Sequence, residues 1–150
     1  MTEALTATPK TSILHRVAFF ETDAMGIVHH SNHIRFFELA RVAWMQEHHC
    51  PYTDYMSLNL NFATTRAQAD YLKPITFDQE IEIVTWLEWT RGASIGLSYI
   101  IQSGGTIFAT GTTEHALVDE HGNPRRIPSE KRRQLKDLSA ESRSTNIQQI

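Results

Sequence analysis

Residues 19–48 read FFETDAMGIVHHSNHIRFFELARVAWMQEH, and the fold turns on how this run divides. It opens on the end of a strand, crosses a turn that carries an acid, and enters one long apolar helix. In the turn, Thr22-Asp23-Ala24-Met25-Gly26, small and polar residues let the backbone take unusual dihedrals, and Asp23 has no need of burial. His29, His30, Ser31 and Asn32 mark the helix start. Ser31 or Asn32 is a good N-cap, because its side-chain oxygen can accept from a first-turn amide. From about Asn32 to His48, helical spacing puts Phe36, Phe37, Leu39, Ala40, Ala43 and Trp44 on one broad arc, while Ile34, Val42 and Met45 add apolar surface beyond it. Such a helix must be wrapped by other structure. The amides at its start favour negative charge, so they could stabilise an oxyanion forming on a carbonyl beside Asp23.

Outward from this run the pattern changes from helix to strand. Ser12 to Phe20 alternates, with Ile13, His15, Val17 and Phe19 on one face and Leu14, Arg16, Ala18 and Phe20 on the other. Cys50-Pro51 closes the helix, since proline disfavours helical geometry in the residue before it, and Tyr52 to Asn59 leaves room for one more helical turn. Leu60 to Leu72 is a long mixed strand ending at Lys73-Pro74. Glu80 to Trp89 sets Ile81, Ile83, Leu87 and Trp89 against Glu80, Glu82 and Glu88. Ile95, Leu97, Tyr99 and Ile101 line one face of the next strand. Ser103-Gly104-Gly105 is a hairpin turn leading into Thr106 to Val118. One helix followed by four strands on short turns implies an α+β domain, an antiparallel sheet with the helix on one face. Residues 1–11 are expected to be a loose arm and 12–128 the domain. Residues 129–150 are expected to be a short basic helix with a polar, partly disordered tail.

The chain has 150 residues, enough for one domain with a real core. Hydrophobic residues at 41% and charged residues at 21% describe a soluble globular protein. A net charge of -3 gives no general attraction to nucleic acid or to an acidic membrane surface. The single cysteine, Cys50, fits a reducing compartment. No stretch is long and apolar enough to span a bilayer, and no apolar run follows a basic N-terminal segment, so the expectation is a cytoplasmic protein.

The run Glu21 to Asn32 resembles the active-site signature of hotdog-fold acyl-CoA thioesterases of the 4-hydroxybenzoyl-CoA thioesterase type, together with the Tol-Pal-associated and 1,4-dihydroxy-2-naphthoyl-CoA enzymes. The resemblance continues through Phe36-Phe37-Glu38-Leu39-Ala40-Arg41, Tyr71-Leu72-Lys73-Pro74, Arg91-Gly92-Ala93-Ser94 and His115-Ala116-Leu117-Val118-Asp119. It implies a curled antiparallel sheet around one central helix. It also implies hydrolysis of an acyl-CoA, aromatic or short-chain, to free acid and coenzyme A. No cofactor is implied beyond the coenzyme A carried by the substrate. A homodimer with an interfacial site is implied, and a tetramer is favoured.

By the same resemblance, Asp23 attacks the thioester carbonyl or activates the water that does; an aspartate is ordinarily ionised near neutral pH, as either role requires. Read from the turn alone, Asp23 is an Asx-turn or capping residue, the commonest use of Asp in a turn. The His30 backbone amide would polarise the carbonyl, with its imidazole second. Phe20, Met25, Val28 and Tyr71 are the expected acyl-pocket walls. His29 stands where a Tyr or Trp is common in the family, and Thr65 is a candidate polar contact. Lys73 and Arg91 are the favoured cations for coenzyme A, with Arg125 and Arg126 behind them. Rival readings are a metal site on His29 and His33, which lacks a third ligand, and Glu38 as an alternative helix-borne acid. An acyl carrier protein could replace coenzyme A, and a hotdog dehydratase or a non-catalytic acyl-CoA binding module are the remaining alternatives.

Overall fold

The computed structural model describes residues 8–143, and its sheet is built from β1 (Lys10–Arg16), β2 (Leu60–Tyr71), β3 (Glu80–Thr90), β4 (Ser94–Ser103) and β5 (Thr106–Asp119). All pairings are antiparallel and the spatial order is β1-β3-β4-β5-β2, so β1 and β2 are the two edges. The side-chain period of two decides which face is covered. Ile81, Ile83, Thr85 and Leu87 of β3 are buried, as are Ile95, Leu97, Tyr99 and Ile101 of β4. Trp89 does not continue the buried row. The pairing of β3 with β4 slips between Leu87 and Trp89, and one extra residue rotates Trp89 out of phase.

Helix α1 (Ser31–Trp44) widens into a π turn over Met45–His49, and is followed by the short α2 (Tyr52–Met56). Phe36, Phe37, Ala40 and Trp44 face the sheet and are wholly buried. Phe37 stacks on Tyr99 with ring centroids 4.3 Å apart. The close approach depends on Gly111, where a Cβ would overlap the Phe37 ring and the Gln68 carbonyl. This is the hotdog layout, a sheet with one long helix packed against it. The wrapping is incomplete, however. Leu39 and Val42 remain 48% and 47% exposed, because α1 rests mainly on β3 and β1 and only brushes the edge strand β2.

The first strand differs from its expected span. It begins at Lys10 and ends at Arg16, and Phe19–Glu21 forms a 3₁₀ turn. Glu21 drives this: its carboxylate turns inward to His15 Nε2 at 2.8 Å and accepts from the Ala18 amide at 2.7 Å. The chain is thereby pulled out of the sheet, leaving Phe19 and Phe20 76% and 83% exposed. After β5 the chain packs α3 (Ser129–Leu138) back through Leu135. The outer parts of the expected arm and tail, residues 1–7 and 144–150, lie outside the described residues. No described helix is long and apolar enough to cross a membrane.

Candidate active site

The turn after Glu21 is closed by its own hydrogen bonds. The Asp23 amide donates to the Ile27 carbonyl at 2.8 Å, and the Gly26 amide donates to the Asp23 carbonyl at 3.0 Å. Gly26 sits at φ +79°, a conformation glycine adopts without steric cost. Asp23 Oδ1 accepts from the Met25 amide at 2.8 Å. Among the described residues its second carboxylate oxygen has no partner. The Asx-turn reading and the site reading therefore both apply, one oxygen shaping the turn and the other left free. Beyond the turn, the Val28 amide donates to the Ile75 carbonyl at 2.7 Å and fastens the loop to the β2–β3 connection.

The helix start is built differently from the sequence expectation. Neither Ser31 nor Asn32 acts as the N-cap. The His29 ring takes the part, its Nδ1 accepting from the Ser31 amide at 3.2 Å, while the Asn32 amide donates to the His29 carbonyl at 2.9 Å. Asn32 is instead buried, its side-chain amide donating to the Glu21 carbonyl at 2.8 Å and locking the turn to the helix. His30 already has helical dihedrals, φ -54° and ψ -29°. Among the described residues nothing accepts from the His30 amide.

Asp23 and His30 meet at a cleft of about 410 Å³, shared with Val28, His33, Tyr71 and Lys73. The Tyr71 hydroxyl donates to the His30 carbonyl at 3.2 Å, and the Tyr71 ring stands edge-on to His33 at 4.6 Å. His33 is only 4% exposed, and its Nδ1 has no hydrogen-bond partner. Burial pushes its pKa below the usual histidine value, the nearby His30 adds to the shift, and backbone groups of His30 and His29 oppose it. His29 and His33 do not face a common point: His29 is exposed, stacked on His30 at 4.1 Å, whereas His33 is enclosed by Tyr71 and Phe36.

Other residues singled out from sequence lie apart from this cleft in the single chain. Phe20 and Met25 point to solvent, 83% and 76% exposed, as the inward turn of Glu21 and the tip position of Met25 dictate. Thr65 occupies the β2 bulge and donates to the Glu114 carbonyl at 3.2 Å. Arg91 is at the other end of the eleven-residue β3, a span of roughly 30 Å at ~3.3 Å per residue. There its guanidinium meets Glu141 at 3.1 Å and lies 5.0 Å over the Trp89 ring. Glu38 lies 3.6 Å from Arg41 and borders a second cavity of about 270 Å³ with Phe62 and Thr64.

Near that second cavity lies a buried polar network that the sequence reading passed over. His115 Nε2 is 2.7 Å from Thr113 Oγ1, and its Nδ1 is 3.1 Å from Thr64 Oγ1. Thr113 Oγ1 is 2.6 Å from the Tyr99 hydroxyl, which accepts from Arg41 at 3.3 Å. Burial, reinforced by the Arg41 charge, pushes the His115 pKa down to about 3. A signal for both buried histidines was present. His33 shares a helical face with Phe36, Phe37 and Ala40, and His115 shares a strand face with Thr113 and Leu117.

With this geometry established, comparison with known proteins identifies relatives. The profile of the thioesterase-like superfamily matches residues 17–136. The crystal structure of a hypothetical protein from Aquifex aeolicus superimposes with a TM-score of 0.77 at 34% identity, covering 83% of this chain and 98% of that one. Acyl-CoA thioester hydrolase YbgC of Escherichia coli is 31% identical over 80 residues, 53% of this chain and 60% of that protein. DHNA-CoA thioesterase of Staphylococcus aureus shares the fold, with a TM-score of 0.82 at 22% identity over 94% of this chain and 95% of that one.

Proposed function

This chain belongs to the thioesterase-like superfamily, and we propose that it hydrolyses an acyl-coenzyme A, aromatic or short-chain, to the free acid and coenzyme A. One observation carries the reading: the unpartnered oxygen of Asp23 belongs to a residue lining the same cleft as His30, whose amide has no acceptor among the described residues. A thioester carbonyl entering the cleft gives that amide its acceptor. As the carbonyl becomes an oxyanion the interaction strengthens, because charge develops at the positive end of the fourteen-residue α1. Asp23 then serves as nucleophile or as general base toward water. Val28 and Tyr71 wall the acyl group, and Lys73 faces the anionic coenzyme. The Escherichia coli relative, an acyl-CoA thioester hydrolase, supports this reading.

The proposal includes a homodimer joined along β2. This strand is a twelve-residue edge whose outer hydrogen-bonding groups have no sheet neighbour in the single chain, a surface that proteins seldom leave open. The half-exposed Leu39 and Val42 add apolar surface to α1. A two-fold axis across this edge lays the partner's strand start beside Tyr71. It thereby carries the partner's Arg91 end of the sheet toward the cleft, where a cation can meet the coenzyme phosphates. Two such dimers would form the expected tetramer. Light scattering that gave a monomer mass would remove this part.

The activity is tested by thiol release from a panel of aryl and aliphatic coenzyme A thioesters. Wild type releases thiol, and Asp23→Asn loses roughly a thousandfold in kcat, the scale on which a nucleophile or base acts. Its melting temperature stays unchanged, since Oδ1 still accepts from the Met25 amide. Full activity in Asp23→Asn, or hydration of an enoyl thioester without thiol release, would overturn the reading.

A further inference from the structure

We infer that His33 is the base that takes a proton from the hydrolytic water in this cleft. The inference rests on the hydrolase reading above and assigns to it a residue that neither the turn motif nor the helix start singles out.

Three observations point to it. His33 lines the cleft with Asp23 and His30. It is 4% exposed, yet its Nδ1 has no hydrogen-bond partner among the described residues. A buried polar group left so costs about 1–3 kcal/mol relative to a satisfied one, and an apolar side chain between Phe36 and Tyr71 would avoid that cost. The imidazole is also held neutral by its burial, so a ring lone pair is available near neutral pH. The groups around it are His29 and His30 just before α1, Asp23 in the turn, Tyr71 on β2 and Lys73 beyond it. The His15–Glu21 pair lies behind Phe36.

With a separate base present, Asp23 acts as the nucleophile. Its free oxygen bonds to the acyl carbon, and the C–S bond breaks with its electron pair on sulfur. This leaves a mixed anhydride on Asp23 and the coenzyme thiolate. Water then bonds to the acyl carbon while His33 takes one of its protons, and the Asp23–acyl bond breaks with its pair returning to the carboxylate. The proton on His33 passes to the thiolate, so water and thioester become acid and thiol.

The test is the pH–rate profile of wild type and His33→Gln with a coenzyme A thioester that the panel shows to be cleaved. Wild-type kcat should fall on the acid side, at a pH below the ordinary histidine range because burial lowers the His33 pKa, as the ring becomes protonated. In His33→Gln, kcat should drop about a hundredfold with KM within about threefold, and that acid limb should vanish. A kcat within threefold of wild type, or an acid limb that survives the substitution, overturns the inference. A non-hydrolysable thioether analogue added to wild-type protein should shift the His33 ring resonances, and unmoved resonances overturn it even where His33→Gln does not fold. Dead Asp23→Asn beside unaffected His33→Gln sinks the role of His33 alone. No thiol release by wild type sinks the hydrolase reading with it.

Discussion

Two histidines are buried near α1, and the chain provides for them in opposite ways. His115, 1% exposed, has both ring nitrogens beside threonine hydroxyls, Thr113 on its own strand and Thr64 on β2. Arg41 and Tyr99 extend the network, so every polar group buried there is answered by another. His33 is covered almost as fully but its Nδ1 has no hydrogen-bond partner among the described residues, and the space beside it is a cleft rather than packed core. A satisfied buried network fixes strand pairing and helix placement. An unsatisfied group at a cleft stores a cost that folding alone does not explain. The contrast separates architecture from chemistry within one small protein.

The sharpest way to break that contrast is to replace each ring by phenylalanine. His115→Phe should cost about 1–3 kcal/mol, since it removes both hydrogen bonds of a 1% exposed ring, including that to the buried Thr113 hydroxyl. His33→Phe removes an unsatisfied group from a site already flanked by Phe36 and Tyr71, so its stability should stay level or rise slightly. Chemical denaturation measures both. A large loss in His33→Phe would mean that its ring has a structural partner after all, and the distinction would fail.

Acid sharpens the same contrast at smaller scale. The His115 pKa is about 3 when folded and ~6.5 when unfolded. Between these values the unfolded chain binds a proton that the folded chain does not. The associated stability is therefore complete above pH ~6.5 and is lost as pH falls toward 3, by up to about 1.4 kcal/mol per pH unit. His33 and His49, whose pKa values are also lowered by burial, act in the same direction. Unfolding free energies at pH 7 and pH 5 should therefore show a shallower loss in His115→Phe than in wild type. Equal losses would mean that His115 takes up protons without opening its network.

Much of this was legible in the sequence, and the parts that were not share a cause. The alternation in Glu80 to Leu87, the Ser103-Gly104-Gly105 turn and the long apolar helix fix the sheet and its cover, because each is a local pattern with one structural solution. Asp23, His30, Tyr71 and Lys73 are scattered along the chain yet line one cleft. Side-chain direction was less legible. Phe20 and Met25, expected as pocket walls, are exposed in the single chain, because the inward turn of Glu21 throws Phe20 outward and Met25 sits at a turn tip. Ser31 and Asn32 both suit an N-cap, and the choice passed to His29 because Asn32 is consumed by the Glu21 carbonyl. Arg91 depends on topology: β3 carries it away from the cleft of the single chain.

Tyr71 tests the open end of the comparison with the smallest change. Its hydroxyl donates to the His30 carbonyl, and its ring stands edge-on to His33. It therefore touches both the residue whose amide is free and the residue proposed as base. Tyr71→Phe keeps the ring and removes one half-exposed hydrogen bond, worth about 1 kcal/mol. The His30 carbonyl still accepts from the His33 amide at 3.3 Å, so the helix start should hold and the melting temperature should barely move. Activity is more exposed to the loss, because the same bond restrains His30 at the cleft. A fall in kcat of threefold to tenfold, with KM little changed, is the result expected if alignment of that amide matters only as the oxyanion forms. An equal rise in KM with kcat intact would instead make Tyr71 a ground-state wall for the acyl group, and restraint of His30 would lose its support.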